Sequence, residues 1–400
     1  MNTADSKPRL LVLTSTFPRW QDDHEPPFVF ELSRRLATRF EVTVLAPHAP
    51  GAKRQEEMDG ITVERFRYAP DFLECLAYDG GIPTKLRSKP WLAALVPMFL
   101  LAQTIMALRL LRRLHPQVVH AHWLLPQGLL ALLALKLSGV RARTVVTAHG
   151  ADIHGLNSGF AMWLKSRVVC GVDAVTVVSQ ALAHDARTLT TDPNKIQVIP
   201  MGVDLSSHFV PSTPRSRSQT LVFAGRLVEK KGVSTLLEAM AKLVRDKPNA
   251  QLLIAGFGPL RESLEARALE LGISDRVEFL GSYRNQDLPD LFRRADIAVY
   301  PFMRASGGDQ EGLGLVIVEA MGCGLPVVAG DLPAVHDVIR NHETGLLVAS
   351  RDPSALAKTI KHLIDDAELA ERLAQNGRSF ALANFDWRII ADRYAALLAG

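Results

Sequence analysis

Cysteine is scarce in this chain: 400 residues contain three, Cys75, Cys170 and Cys323, with no CxxC spacing among them. That excludes a disulfide framework and a thiolate metal site, and it suits a reducing cytoplasm. No DxD pair stands ready to hold Mg²⁺, the nearest approach being Asp309-Gln310-Glu311. GxSxG is missing and no Cys/His pairing signals a nucleophile, so hydrolysis by that chemistry has no foothold. The dinucleotide fingerprint is incomplete as well. Gly256-x-Gly258 follows an apolar run, but Arg261 occupies the place of the third glycine, which argues against a nicotinamide cofactor. The opening MNTADSKPRLLVLTSTF has an apolar run too short to span a membrane and no cleavage pattern, so Arg9 to Ser15 reads as a first strand.

What is present is a large apolar fraction, 48% of 400 residues, enough for two cores. Val/Ile-rich runs such as RLLVLTST, FEVTVLAPH, PQVVHAHW and RTVVTAHG alternate with helical patterns, which predicts parallel sheets covered on both faces. The alternation breaks in DLSSHFVPSTPRSRS and restarts at TLVFAGRL. The expected plan is α/β, with two tandem doubly wound Rossmann-like domains over residues 1–204 and 219–384 and a linker at 205–218. Each domain presents the C-terminal ends of its strands, and the cleft between the two is the default ligand site. Net charge is +4 but uneven: residues 1–200 hold 23 basic and 17 acidic groups, residues 201–400 hold 23 and 25. This either marks a membrane-facing first half or is ordinary surface variation. Trp91 to Leu111 nearly has the length of a membrane span, yet Pro97, Gln103 and Thr104 interrupt it. It reads as a crossover helix of the first sheet, with an interfacial helix flanked by Lys85, Arg87 and Lys89 as the alternative.

The richest stretch is Ser306 to Asp331, where Glu311 and Glu319 bracket a Gly-Leu-Gly turn that opens an apolar helix. Glycines admit a close ligand, and a helix start points its positive end at an anion. Carboxylates there suit the neutral hydroxyls of the same ligand, so the occupant has a phosphate end and a polyol end, as a nucleotide sugar does. In FAGRLVEKKG, Arg226 and Lys231 follow a strand and precede a helix, placed to neutralise a diphosphate without a metal. Lys230 suits a solvated loop. His120 and His122 share a strand face, and with His149 or His154 they would make a metal triad. No paired carboxylates, thiolates or DxD support one, and hydrogen-bonded structural roles fit His120 and His122 better. His149, at a strand end before Gly150 and Asp152, is the ligand-contacting candidate. Glu311 and Glu319 sit on one loop–helix junction rather than on opposite sides of a bond, which disfavours glycoside hydrolysis.

Together, FAGRLVEKKG, LLIAGFGP, VEFLGSY, EGLGLVIVEAMGCGLPVVAG and TGLLV resemble the retaining GT-B glycosyltransferases, family four, also described as glycosyl transferases group 1. VVHAHW, VVTAHGAD, VVSQAL and VIPMGVD extend that resemblance over nearly the whole chain. It implies transfer of a sugar from a nucleotide diphosphate to an acceptor hydroxyl with retained configuration and no bound metal. It implies that Arg226 and Lys231 hold the diphosphate, that Glu319 takes the ribose, and that Glu311 lies at the donor sugar. Gly312, Leu313, Gly314 and Leu315 would help through their backbone, and His149 would approach the sugar from the first domain. Loops after Gly256, Gly258 and Gly281, with Tyr283, would border the base. The terminal helix, residues 385–400, would return to the first domain.

One departure concerns the turn after the first strand. Where many relatives are glycine-rich, this chain has STFPRWQDDHEPPFVFEL, stiffened by Pro18, Pro26 and Pro27. Arg19, Trp20, Asp22 and Asp23 are the acceptor-side candidates. The expected activity is hexosyl transfer from GDP-mannose, with UDP-glucose and UDP-N-acetylglucosamine open, to a glycan or lipid-linked acceptor in bacterial surface polysaccharide synthesis. A nucleotide-sugar epimerase and a non-catalytic nucleotide-sugar-binding module are the alternatives. The expected location is cytoplasmic, at the inner face of the cytoplasmic membrane, with an anionic bilayer as a partner and no nucleic acid.

Overall fold

The β-branched runs form strands and the apolar stripes between them form helices in a computed structural model, which describes residues 7–400 apart from 22, 24, 26, 79–80, 157 and 212–217. The chain divides into two compact units, Met1–Met201 with Ile390–Gly400, and Gly202–Ile389.

In the first unit the strands are β1 (Arg9–Leu13), β2 (Glu41–Pro47), β3 (Gln55–Met58), β4 (Ile61–Phe66), β5 (Val118–His122), β6 (Arg143–Ala148), β7 (Ala174–Val177) and β8 (Ile196–Val198). Their order is β3-β4-β2-β1-β5-β6-β7-β8. Each neighbouring pair is parallel except β3 with β4, an antiparallel hairpin closed by Asp59 and Gly60 at φ 47° and 78°. Sequence reading passed over β3 because QEEM is a polar edge strand without an apolar face. The central strands are covered on both sides, with Leu10 to Leu13 all buried.

The crossover from β4 to β5 contains the helix Val96–Leu114, which packs Phe99, Ala107, Leu110 and Leu111 inward. Its outer face carries exposed Met98, Leu101 and Ile105, with exposed Trp91 just upstream. Pro90–Leu114 has the length and composition of a membrane span, and only 28% of its most apolar window is buried in the fold. The last helix, Trp387–Ala399, ends on this unit. Tyr394 donates its hydroxyl hydrogen to the Ile199 carbonyl at 3.0 Å, and Arg143 Nε donates to the Leu397 carbonyl at 3.0 Å.

The second unit holds β9 (Thr220–Ala224), β10 (Gln251–Ala255), β11 (Val277–Gly281), β12 (Ile297–Tyr300), β13 (Val327–Gly330) and β14 (Leu346–Val348). They are parallel throughout, in the order β11-β10-β9-β12-β13-β14. The chain builds outward from β9 to one side, then crosses to β12 on the other. That reversal opens a crevice beyond the carboxyl ends of β9 and β12, where ligands bind in such sheets. Of the stretch expected to be a linker, Leu205 and Phe209 are buried in this unit against Gly322, where a Cβ would come within 2.5 Å of Leu205 Cδ2. Residues 212–217 lie outside the described residues.

Candidate functional site

At the reversal lies a cavity of about 280 Å³. The loop after β9 contributes Gly225, Arg226 and Lys231, the loop after β10 contributes Gly256 and Phe257, and Tyr283 and Leu288 follow β11. The segment after β12 supplies Glu311, Gly314, Leu315, Val316 and Glu319. Two glycines are sterically required here. Gly256 lets the exits of β10 and β9 touch, since a Cβ there would lie 1.8 Å from the Gly225 carbonyl oxygen. Gly314, at φ 85°, caps the helix Leu315–Gly322, whose first residues Leu315 and Val316 line the cavity. An anion in the cavity would meet that positive helix end.

The consecutive residues Glu229, Lys230 and Lys231 fasten the segment after β12 in three places. Glu229 accepts from the Ser306 backbone N–H and hydroxyl, each at 2.9 Å. Lys230 Nζ pairs with Asp309 at 3.1 Å, and Lys231 Nζ pairs with Glu311 at 2.5 Å. Lys231 Nζ also sits 4.4 Å from the centre of the Phe302 ring. Arg226 is exposed and has no ion pair among the described residues. Burial acts to raise the Glu311 carboxyl, but Lys231, Lys230 and the Gly312 N–H outweigh it and hold the group below its ordinary value. Glu319 goes the other way. Burial pushes it up to about 7, against the weaker pull of Asn285 and Lys231. The Asn285 amide stands 3.5 Å away, at the limit of a hydrogen bond.

Eight of the residues named from the sequence therefore share one cavity: Arg226, Lys231, Gly256, Tyr283, Glu311, Gly314, Leu315 and Glu319. Three others of the second unit do not line it. Leu313 is buried, and Gly312 acts at one remove through its N–H to Glu311. Gly258 instead backs onto Leu227, whose carbonyl oxygen would lie 2.4 Å from a Cβ there. Sequence reading missed Gly225, Phe257, Leu288 and Val316. Phe257, held between two glycines at a strand end, carried the one visible signal.

His149 belongs to the first unit, one residue past β6. Its Nε2 is 3.0 Å from Nδ1 of His122, the last residue of β5, and its ring is flanked by Phe28 and Trp123 at 4.8 and 4.9 Å. Asp152 ties the turn together, accepting from the N–H groups of His149 and Gly150 at 3.1 Å each and from Leu124 at 2.8 Å. Burial pushes His149 down to about 3 and His122 well below its ordinary value, and neighbouring imidazoles add to both shifts. His120 donates to or accepts from Thr147 Oγ1 at 2.7 Å, deep in the core. In the loop after β1, Arg19 and Asp23 are paired with each other at 2.7 Å, and Arg19 lies over Trp20 at 4.6 Å. Asp22 and Pro26 are outside the described residues.

The chain matches two families in tandem, "Glycosyltransferase Family 4" over residues 27–207 and "Glycosyl transferases group 1" over residues 207–380. The GDP-mannose-dependent alpha-(1-6)-phosphatidylinositol monomannoside mannosyltransferase of Mycobacterium tuberculosis is 30% identical over 306 residues, 73% of this chain and 79% of that one. The chain belongs to glycosyltransferase family four. The chain is also similar to the glycogen synthase of M. tuberculosis, at 31% identity over 71% of this chain and 69% of that one. Sucrose-phosphate synthase of Thermosynechococcus elongatus shares its fold with a TM-score of 0.76, at 23% identity over 98% of both chains. HepE of Anabaena, solved in complex with UDP, does so with a TM-score of 0.74, at 18% identity over 98% of this chain and 99% of that one. As a family-four member the protein is a retaining, nucleotide-sugar-dependent glycosyltransferase of the GT-B fold.

Proposed function

We propose that this glycosyltransferase moves mannose from GDP-mannose to a hydroxyl of a glycan or lipid-linked acceptor at the inner face of the cytoplasmic membrane, as in bacterial surface polysaccharide synthesis. The observation that carries the donor site is the grouping of Arg226, Lys231, Glu311 and Glu319 around one cavity at a helix start. Arg226, Lys231 and the N–H groups of Leu315 and Val316 take the diphosphate. Glu319 accepts from the ribose hydroxyls, and Tyr283 borders the base. Glu311, assisted by Gly312, faces the sugar, and His149 is taken as a further sugar contact. Several relatives named as GDP-mannose-dependent favour mannose, as does the Gly308-Asp309-Gln310-Glu311 run.

The proposed chemistry is same-face transfer, which that arrangement would support. The sugar's C1–O bond to the diphosphate breaks as the acceptor oxygen attacks C1 from the same face. The acceptor's proton passes to the departing phosphate oxygen. Fixed cations and a helix end stabilise the charge that grows on the leaving group, and each such contact is worth about 2–4 kcal/mol in the transition state. An epimerase would need no acceptor, and the joint presence of Glu311, Glu319, Arg226, Lys231 and His149 in one chain argues against a simple binding module.

A membrane-side location has its own support. Residues 80–151 contain 9 Lys and Arg but no Asp or Glu. Along one face of the crossover helix, exposed Met98, Leu101 and Ile105 run into exposed Arg109 and Arg112, with exposed Leu133 and Leu137 on the neighbouring helix. An apolar stripe bordered by cations suits an anionic bilayer surface. The donor reading is tested by thermal shift and nucleotide release across a panel of nucleotide sugars. GDP-mannose should give the largest shift and release GDP, whereas preference for a UDP-sugar would replace the donor and leave the site intact.

A further inference from the structure

We infer that His122 is a positioning residue that fixes His149 as the Nδ1–H tautomer, so that His149 meets the donor sugar as a hydrogen-bond donor. This rests on the reading of His149 as a sugar contact, given above. Strand register creates the pair, because β5 and β6 are adjacent and parallel with His122 opposite Thr147, two residues before His149. The two rings lie within 16° of parallel, and Nδ1 of His122 faces Nε2 of His149 at 3.0 Å.

An N···N contact that short needs one proton between the two nitrogens. Both imidazoles are held neutral by burial, so each ring carries a single N–H. His122 decides where its own proton goes. Its Nε2 is buried and has no partner among the described residues. A proton there would be an orphaned buried donor, which costs more than a bare acceptor nitrogen. The proton therefore sits on Nδ1 and is donated to His149 Nε2. His149 must then carry its own proton on Nδ1. The bond made by one ring nitrogen sets the state of the other.

The surroundings hold this arrangement still. Phe28 and Trp123 flank the His149 ring, and Asp152 braces both strand ends through three backbone N–H groups. An Nδ1–H donates to the lone pair of a sugar hydroxyl, whereas the opposite tautomer would accept the hydroxyl's own hydrogen, so the tautomer decides the direction of the bond.

The direct test is a long-range ¹⁵N–¹H histidine spectrum of the full-length wild-type protein. His149 should show a protonated Nδ1 and an unprotonated Nε2, and the reverse pattern would overturn the inference. Kinetics with GDP-mannose supply the second arm. His122→Leu should lower kcat/KM by about tenfold, the worth of one well-placed hydrogen bond, with a mixed His149 tautomer in its spectrum. His122→Asn, whose amide can donate from the Nδ1 position, should recover most of that loss. A His122→Leu enzyme with unchanged kcat/KM, beside a His149→Ala enzyme that is impaired, also defeats the inference. An unimpaired His149→Ala enzyme instead removes the sugar-contact reading, and the spectrum still decides the tautomer.

Discussion

Glu319 should make nucleotide binding depend on pH near neutrality, where an ordinary carboxylate is already ionised. Its carboxyl lines the cavity half-buried, and burial lifts it to about 7. Ribose hydroxyls donate hydrogen bonds, so they require the ionised form, and binding must pull the Glu319 pKa down. Affinity for GDP should therefore rise with pH through 7. With that midpoint the ionised fraction is roughly a tenth at pH 6 and roughly nine-tenths at pH 8, a tenfold change in affinity worth about 1.4 kcal/mol. The assay is calorimetric titration of GDP into wild type and Glu319→Gln at intervals from pH 6 to 8.5. Ionisation of the terminal phosphate is common to both proteins and cancels in their affinity ratio. The ratio should grow in favour of wild type as pH rises; a flat ratio, or one that falls, refutes the assignment.

The same group has the opposite sign in the folding of the protein without nucleotide. A carboxyl raised on folding stabilises fully below its unfolded value near 4.3, and that contribution is lost as pH rises through 7. Glu319→Gln should accordingly melt higher than wild type at pH 8, by a margin that shrinks towards pH 5.

Three further outcomes are expected. Lys231→Ala should weaken GDP binding and cost about 2–4 kcal/mol of transition-state stabilisation, read as kcat/KM; unchanged diphosphate affinity by calorimetry removes its role. Gly256→Ala forces a Cβ against the Gly225 carbonyl, so it should push the β9 and β10 exits apart, lower the melting temperature and abolish nucleotide binding. Wild type should sediment with liposomes rich in anionic lipid at low salt, and Leu101→Asp with Ile105→Asp should prevent it. Sedimentation that survives both changes would move the contact elsewhere.

Much of this was legible in the sequence because parallel strands buried on both faces leave continuous Val/Ile runs, as in LVFA and VVAG. The residues that share the cavity were legible because they fall at strand ends before helices. What was not legible depends on distant partners. Nothing near Lys231 announces that Glu311, 80 residues away, is its counter-ion. His122 looked like a core histidine because its burial is local information and its bond to His149 is not. The polar strand β3 had no apolar pattern, although Asp59-Gly60 was a hairpin signal that went unused. Leu205 and Phe209 sat in Ser/Pro-rich surroundings that masked their packing against Gly322.

The Lys231–Glu311 pair bears on selectivity against the phosphate of the cell. Two uncompensated cations beside a helix end would attract any small anion. Here one of the two already has a carboxylate, so an incoming ligand must compete with Glu311 before it gains Lys231. Inorganic phosphate offers too little in exchange. A nucleotide sugar brings base, ribose and hexose contacts as well, and its sugar hydroxyls can take over the displaced carboxylate. If this cavity holds the donor as proposed, the internal ion pair sets an entry threshold that a complete donor crosses and a bare anion does not.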